Sequence, residues 1–147
     1  MLYRRTGTEP EVLLVHPGGP YWRRRDQGAW QIPKGEIDPD EEPAAAALRE
    51  VREELGVDVS APLQPLGEIR QAGGKRVTAF AAEQDLDADA IVSVLFEMEW
   101  PPRSGRIERF PEVSAAKWLT IDEARTAMLP SQLPLLDRLA EQLGWPG

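Results

Sequence analysis

Three glutamates are spaced so that their carboxylates meet on one side of a helix. Glu50, Glu53 and Glu54 stand three and four positions apart, and an α-helix turns by about 100° per residue. Like charges at these spacings destabilise an isolated helix by about 0.2–0.5 kcal/mol per pair, and bound divalent cations would offset that cost. Carboxylate oxygens are ligands for hard cations such as Mg²⁺. The spacing therefore favours a metal site, and a solvated acidic helix face is the alternative.

The sequence predicts that this helix covers residues 42–55. Pro43 suits the first turn, where its missing N–H is not needed, and Gly56 suits the left-handed position that ends many helices. A second stripe, turned by about 120° from the glutamates, is apolar and predicts the packing face: Ala44, Leu48, Val51 and Leu55. This pattern predicts that the core and the chemistry use different faces of the helix.

The rest of the chain predicts strands on both sides of this helix. Apolar or alternating segments predict strands at residues 11–16, 65–70, 75–82, 92–100 and 113–119. Thr120 and Glu123 have the form of a capping box that opens a short helix, and a last helix is predicted near residues 131–143. This order predicts an α/β sandwich with a mixed sheet, in one domain that spans residues 1–147.

Composition limits the classes of function. The 147 residues are 41% hydrophobic and carry a net charge of −8, which argues against binding along a nucleic acid backbone because such binding needs a basic surface. The chain has no Cys, so thiol chemistry and disulfides are excluded. No apolar run reaches the roughly 20 residues that span a bilayer, and we expect a soluble, cytoplasmic protein that does not bind membranes.

Residues 35–57 match the Nudix box, and the chain resembles Nudix hydrolases on that ground. The matching positions are Gly35, Glu41, Arg49, Glu50, Val51, Glu53, Glu54, Gly56 and Val57. The resemblance implies a Nudix-type α/β/α sandwich with a mixed β-sheet. It also implies hydrolysis of a diphosphate that is linked to another group, commonly a nucleoside, with Mg²⁺ or Mn²⁺ as the cofactor.

The resemblance also implies roles for individual residues. Glu50, Glu53 and Glu54 would hold the metal ions, together with the backbone carbonyl of Gly35. Glu41 and Arg49 would pair and support the segment that enters the helix. The general base stays open between Glu50 and a glutamate outside the box, for which Glu97 is preferred to Glu99.

The substrate is less strongly indicated. Trp30 followed by Pro33, Lys34 and Gly35 resembles the branch of the family that acts on diadenosine polyphosphates and diphosphoinositol phosphates. Two sets of residues are predicted to bind substrate: Lys34, Arg25 and Arg103 at phosphates, and Trp22 and Trp30 as stacking surfaces for a base. Each of these residues has an ordinary structural alternative, as a solvent-facing cation or a core aromatic residue.

We therefore expect a Mg²⁺-dependent pyrophosphohydrolase of nucleoside polyphosphates, with dinucleoside polyphosphates slightly favoured. The alternatives are a pyrophosphatase of canonical or modified nucleoside triphosphates or of nucleotide sugars, and a Nudix domain that senses a nucleotide without cleaving it. A cap hydrolase is less favoured because of the acidic net charge. A homodimer is left open.

Overall fold

The computed structural model describes residues 1–33, 40–70, 74 and 76–146 of the chain. The strands are β1 (Leu2–Arg4), β2 (Glu11–Pro17), β3 (Gln64–Arg70), β4 (Arg76–Glu83), β5 (Leu95–Glu99), β6 (Ile107–Pro111) and β7 (Val113–Thr120). The α-helices are α1 (Pro43–Leu55), α2 (Ile121–Ala127) and α3 (Leu133–Leu143), and short 3₁₀ turns lie at Ala88–Ala90 and Pro130–Gln132.

Five strands form a mixed sheet in the order β3-β4-β1-β2-β7. β1 runs parallel to β4, and the other neighbouring pairs are antiparallel. β2 has strands on both sides and helices over both faces, which explains why five consecutive residues, 12–16, are buried. β5 and β6 pair with each other in a separate hairpin.

Helices cover both faces of the five-stranded sheet. Leu13 and Val15 of β2 pack with Val51 and Leu55 of α1, whereas Leu14 and its neighbours pack in a second cluster with α2 and α3. Adjacent residues of β2 point to opposite faces, so the two clusters lie on the two sides of the sheet. The predicted α/β/α sandwich with a mixed sheet is confirmed.

The ends of α1 are fixed by the two residues that predicted them. Pro43 is the first residue of the helix, and Gly56 follows its last residue with a left-handed φ of 71°. A Cβ at position 56 would also lie 2.9 Å from the carbonyl oxygen of Val92. Glycine is therefore required here both for backbone conformation and for close approach.

The hairpin differs from the prediction of one strand over residues 92–100. β5 starts only at Leu95, because the N–H groups of Val92 and Val94 donate to the carbonyls of Leu55 and Glu53 at the end of α1. These hydrogen bonds satisfy carbonyls that have no partner within a helix. β6 was not predicted, and part of the predicted turn between β3 and β4 lies outside the described residues.

Over the described part of the chain, no helix is both long enough and apolar enough to cross a membrane.

Candidate active site

The glutamate face of α1 is partly buried, which the sequence did not predict. Glu50 is only 6% exposed and Ala46, one turn earlier, is also buried, whereas the predicted packing residues Ala44 and Leu48 are only partly covered. Burial lowers the pKa of the Met1 amino group to about 5, and the nearby carboxylate of Glu50 opposes this shift. The start of β1 therefore lies beside Glu50, and the separation of core and chemistry into two faces was wrong for this residue.

Arg49 joins the helix to the segment that precedes it. Its Nε and Nη2 atoms donate to the two carboxylate oxygens of Glu41 at 2.8 and 2.9 Å, and its Nη1 donates to Glu53 at 3.1 Å. The hydrogen bond with Glu41 is the largest influence on the pKa of Arg49, which is raised well above its usual range. The predicted pairing of Glu41 and Arg49 is present, and it extends to one of the predicted metal ligands.

The donor set on α1 fits a hard divalent cation by its chemistry. Glu50, Glu53 and Glu54 offer carboxylate oxygens from a single helix, which suit Mg²⁺ better than a soft metal. Among the described residues, however, no three His, Cys, Asp or Glu side chains are already grouped to hold a metal ion. Joint binding would need these side chains to converge, with Glu53 sharing its carboxylate with Arg49 or releasing it. Gly35 lies outside the described residues, and this ligand set stays a prediction.

The two candidate bases outside the box lie on the β5–β6 hairpin. Glu97 is 57% exposed and forms an ion pair with Arg109 at 3.1 Å. Glu99 accepts a hydrogen bond from the backbone N–H of Arg103. Both glutamates share the face of the hairpin that also exposes Leu95. Within the described structure their partners are thus groups of the hairpin itself, and the role of Glu97 stays a prediction.

The arginines predicted to bind phosphate lie on two loops that touch each other. The first loop, residues 18–28, carries Arg25, whose guanidinium stacks on Trp22 at 5.3 Å; we call it the basic loop. The second connects β5 to β6 and carries Arg103. Tyr21 of the basic loop, 61% exposed, makes an edge-to-face contact with Trp100 at 5.3 Å. Lys34, the other predicted phosphate ligand, lies outside the described residues.

Backbone hydrogen bonds connect the basic loop to the glutamate helix. The carbonyl of Glu53 accepts from Val94, the carbonyl of Val94 accepts from Glu112, and the carbonyl of Glu112 accepts from Gly18, each at 2.9 Å. Neighbouring extended segments lie about 4.8 Å apart, so the three steps place Gly18 within about 15 Å of the last turn of α1. The start of the basic loop therefore lies in the same region of the molecule as the end of α1.

Trp30 has a packing role in this structure. It is 7% exposed and belongs to the cluster on the α2 and α3 side of the sheet, opposite α1. The ammonium group of Lys117 lies 4.2 Å from its ring centre, and its Nε1 donates to Asp26 at 2.8 Å. A substrate base would have to displace Lys117 to stack on that side of the ring. The stacking role of Trp22, which is partly exposed and carries the Arg25 guanidinium over its ring, stays a prediction.

The sequence analysis missed two buried polar residues that hold segments leading to the candidate site. His16 is buried at the end of β2 and contacts the basic loop. Gln132 is fully buried, and its Oε1 accepts a hydrogen bond from the backbone N–H of Ile32 at 3.0 Å. The available signal for His16 was a single polar residue at the end of an apolar run. No local pattern pointed to the burial of Gln132.

Comparison with known proteins agrees with this geometry. The family model described as NUDIX domain matches residues 1–139. A C. elegans structure named Ap4A hydrolase, in a binary complex, superposes with a TM-score of 0.67 at 21% identity and covers 97% of this chain and 94% of that one. The NUDIX domain of Shewanella oneidensis NrtR, in a complex with ADP ribose, superposes with a TM-score of 0.65 at 21% identity, over 97% and 83% of the two chains. At these identities the likeness shows the fold.

Sequence relatives match over shorter segments. A protein of Gluconacetobacter diazotrophicus named RNA pyrophosphohydrolase is 56% identical over 41 residues, which are 28% of this chain and 22% of that protein. A Pseudomonas putida protein of the same name is 46% identical over 48 residues, 32% of this chain and 30% of that protein. This chain thus matches less than a third of the length of these curated relatives.

The fold and the acidic helix define a Nudix-type domain. The chain belongs to the Nudix hydrolase family, and the prediction made from residues 35–57 is confirmed at this level.

Proposed function

We propose that this protein is a Mg²⁺-dependent pyrophosphohydrolase that cleaves a phosphoanhydride bond in a substrate containing a nucleoside diphosphate. One observation carries the proposal: the family's carboxylates at positions 50, 53 and 54 are all present, on a helix whose Arg49 is held by Glu41. The presence of the complete set favours catalysis over a nucleotide-sensing domain that does not cleave its ligand. The alternative of a non-catalytic sensor is therefore the weaker one.

The side chains divide into binding and proton-accepting roles. Glu53 and Glu54, with Glu50, would hold Mg²⁺ or Mn²⁺, which when bound would offset the charge of the diphosphate and lower the pKa of the attacking water. Glu50 is the favoured general base, because it lies on α1 itself, whereas Glu97 lies on the hairpin and pairs with Arg109. Arg25 and Arg103 would bind the phosphates further from the reacting bond.

Dinucleoside polyphosphates are the favoured substrates. Their several phosphates would engage the arginines of both loops, and Trp22 would offer a surface for one base. The likeness to a protein named Ap4A hydrolase supports this choice at the level of fold. Nucleoside triphosphates and nucleotide sugars remain alternatives within the same reaction.

RNA with a 5′-terminal triphosphate is a second candidate. It is favoured by the relatives named RNA pyrophosphohydrolase. The contact between Tyr21 and Trp100 also supports it, because it places the exposed ring of Tyr21 and the partly buried ring of Trp100 beside both arginine loops. The net charge of −8 would restrict such recognition to the 5′ end, because contacts along the RNA backbone need a basic surface.

A panel of substrates tests this proposal. Diadenosine tetraphosphate, ADP-ribose, nucleoside triphosphates and a short 5′-triphosphorylated RNA are each incubated with the protein and Mg²⁺, with and without chelator, and the products are identified by mass spectrometry. We expect chelator-sensitive cleavage of at least one compound, and none with the control variant Glu54→Gln. If no compound is cleaved but one raises the melting temperature, the protein is a sensor and the proposed activity is wrong.

A further inference from the structure

His16 is a buried histidine that joins three parts of the structure. It lies near the end of β2 and is 8% exposed. Its Nε2 lies 2.5 Å from the backbone carbonyl oxygen of Arg25 in the basic loop, and its Nδ1 lies 3.2 Å from Oγ of Ser114 in β7. Its ring also meets Trp30 edge to face, at 5.1 Å between ring centres.

The partner of Nε2 fixes where the ring carries a proton. A carbonyl oxygen only accepts hydrogen bonds, so Nε2 must be the donor to Arg25. This requirement holds for the neutral ring, with its proton on Nε2, and for the charged ring, with protons on both nitrogens. In the neutral form Ser114 can donate to Nδ1, and in the charged form Nδ1 can donate to the carbonyl of Pro17, 3.1 Å away.

The hydrogen bond from His16 is one of several that shape this part of the loop. The N–H of Arg25 donates to the carbonyl of Trp22, and the N–H of Ala29 donates to the carbonyl of Asp26, both at 3.0 Å. The side chain of Asp26 is held in turn by Nε1 of Trp30. The buried rings of His16 and Trp30 thus hold the carbonyl of Arg25 and the carboxylate of the next residue, Asp26, beside the exposed Arg25 side chain.

We propose that His16 is a positioning residue that fixes the backbone of the basic loop at Arg25 and so sets the place of the Arg25 side chain. The proposal rests on the proposed function, because Arg25 needs a fixed place only if it binds substrate phosphates. His16 does not touch the substrate itself. It acts through the backbone of the basic loop, so its loss should weaken substrate binding more than the chemical step.

Two polar substitutions separate the hydrogen bond from mere packing. The amide nitrogen of Gln in His16→Gln reaches the position of Nε2, whereas that of Asn in His16→Asn reaches only the position of Nδ1. We expect KM for the cleaved nucleotide to rise about tenfold in His16→Asn, with kcat changed by less than about threefold. His16→Gln should keep KM within about threefold of the unmodified protein. Equal KM values in both variants, or a loss in kcat alone, would overturn the proposal.

Tryptic cleavage gives a readout that does not depend on any substrate. Trypsin cuts after arginine, and the basic loop holds three in succession, Arg23, Arg24 and Arg25. Cleavage in this loop should be about tenfold faster in His16→Asn than in His16→Gln, with circular dichroism unchanged. The control Ser114→Ala removes one partner of Nδ1 together with hydrogen bonds to the carbonyls of His16 and Pro17. It leaves the hydrogen bond from Nε2 to Arg25 in place, so cleavage should stay at the original rate.

The two readouts keep the inference separate from the activity. One outcome is that the substrate panel shows no cleavage while trypsin still cuts the basic loop faster in His16→Asn than in His16→Gln. In that case the anchoring of the loop by His16 stands and the proposed function fails. If nucleotides are cleaved but the loop is cut equally fast in both His16 variants, the proposed function stands and the role of His16 is wrong.

Discussion

At the scale of single residues, Arg49 has the clearest contacts of the candidate site. Its guanidinium binds both oxygens of Glu41 and one of Glu53, a geometry that the flat, forked shape of arginine allows and lysine does not. It therefore connects the helix that carries the carboxylates to the chain segment that enters that helix. The ion pairs are partly exposed, so their effect should fall on geometry more than on stability.

Arg49→Lys tests whether Arg49 affects the geometry of the site more than the stability of the fold. The charge remains but the two parallel hydrogen bonds to Glu41 are lost, and we expect kcat/KM to fall about 10–100-fold while the free energy of unfolding changes by less than about 1 kcal/mol. Steady-state kinetics and urea denaturation measure the two quantities. Arg52→Lys is the matched control, because Arg52 lies on the same helix and pairs with the exposed Asp58. Equal losses of activity in both variants would contradict a special role for Arg49.

The sequence predicted side-chain contacts correctly where the family pattern implied both partners. It failed where the position of a side chain depended on burial by distant parts of the chain. The pairing of Glu41 with Arg49 followed from the box. The burial of Glu50 did not, because it depends on the start of β1, which is distant in sequence. Trp30 was expected at a substrate, but its ring packs with Lys117 and His16, contacts that no local pattern encodes.

At the scale of elements, the capping box fixes the residue at which α2 begins. The side chain of Thr120 accepts from the N–H of Glu123 at 3.2 Å, and the Glu123 carboxylate accepts from the N–H of Thr120 at 2.9 Å. The pKa of Glu123 is lowered below its usual value, first by the hydrogen bond that its carboxylate accepts from the Thr120 backbone and then by the interaction with the Thr120 side chain. The helix start was predictable because both partners lie within four residues.

The lowered pKa of Glu123 gives a dependence of stability on pH. The ionised carboxylate stabilises the folded state above the unfolded-state pKa of about 4.3, and this contribution is lost as pH falls through the lower folded-state pKa. The unmodified protein should therefore be more stable than Glu123→Gln at about pH 7, and the difference should be smaller at about pH 3. Urea denaturation of both proteins at the two pH values measures it. A difference that does not change with pH would contradict this account, and Asp122→Asn, which leaves the capping box intact, is the control.

Gln132 holds the segment that leads into the box. Its Oε1 accepts from Ile32, and backbone hydrogen bonds join Gln31 to Val15 on one side and Trp30 to Ala127 and Leu129 on the other. Gln132 thus helps to fix the chain just before residue 34, from the opposite side of the sheet to α1.

Gln132→Met should destabilise the protein by about 1–2 kcal/mol, because the buried N–H of Ile32 loses its acceptor. Within the described structure Nε2 of Gln132 has no hydrogen-bond partner, and removing this buried group offsets part of the cost. The free energy of unfolding from urea denaturation tests the prediction, with the exposed Gln142→Met as a control for the substitution. Stability equal to that of the unmodified protein would show that the acceptor is dispensable.

The element predictions failed where contacts come from distant parts of the chain. The alternation of residues 92–100 predicted one strand, yet the N–H groups of Val92 and Val94 bind the end of α1. β6 follows a loop rich in proline and arginine and has only five residues, so its period-two signal is weak. By contrast, Pro43 and Gly56 set the ends of α1 locally, and the sequence predicted those ends to within one residue.

At the scale of the whole molecule, charge is unevenly distributed. The net charge is −8, yet arginines gather on the basic loop and on the β5–β6 turn, and the contact of Tyr21 with Trp100 brings these loops together. Such a local cationic region attracts phosphates at short range, whereas the rest of the surface does not. A homodimer stays a prediction, as does the cytoplasmic location.

This distribution predicts a dependence on salt. Raising NaCl from about 0.05 to 0.3 M shortens the distance over which exposed charges attract each other. KM for the cleaved nucleotide should therefore rise, while kcat should change little. Steady-state kinetics at constant free Mg²⁺ measures both. Arg103→Gln should reduce the rise in KM, and Arg138→Gln, whose side chain binds backbone carbonyls of β3 on the far side of the sheet, should not. A fall in kcat with unchanged KM would contradict the proposed role of the loops.

The central claim is that the glutamates of α1 bind divalent cations that make phosphoanhydride hydrolysis possible. The most direct measurement is the rate of nucleotide cleavage against Mg²⁺ concentration for the unmodified protein, Glu53→Gln and Glu54→Gln, with folding checked by circular dichroism. The claim predicts a saturable rise with Mg²⁺ in the unmodified protein and a loss of at least about a hundredfold in turnover in each folded variant. Turnover in either variant within about twofold of the unmodified protein, at the same Mg²⁺ concentration, would contradict it.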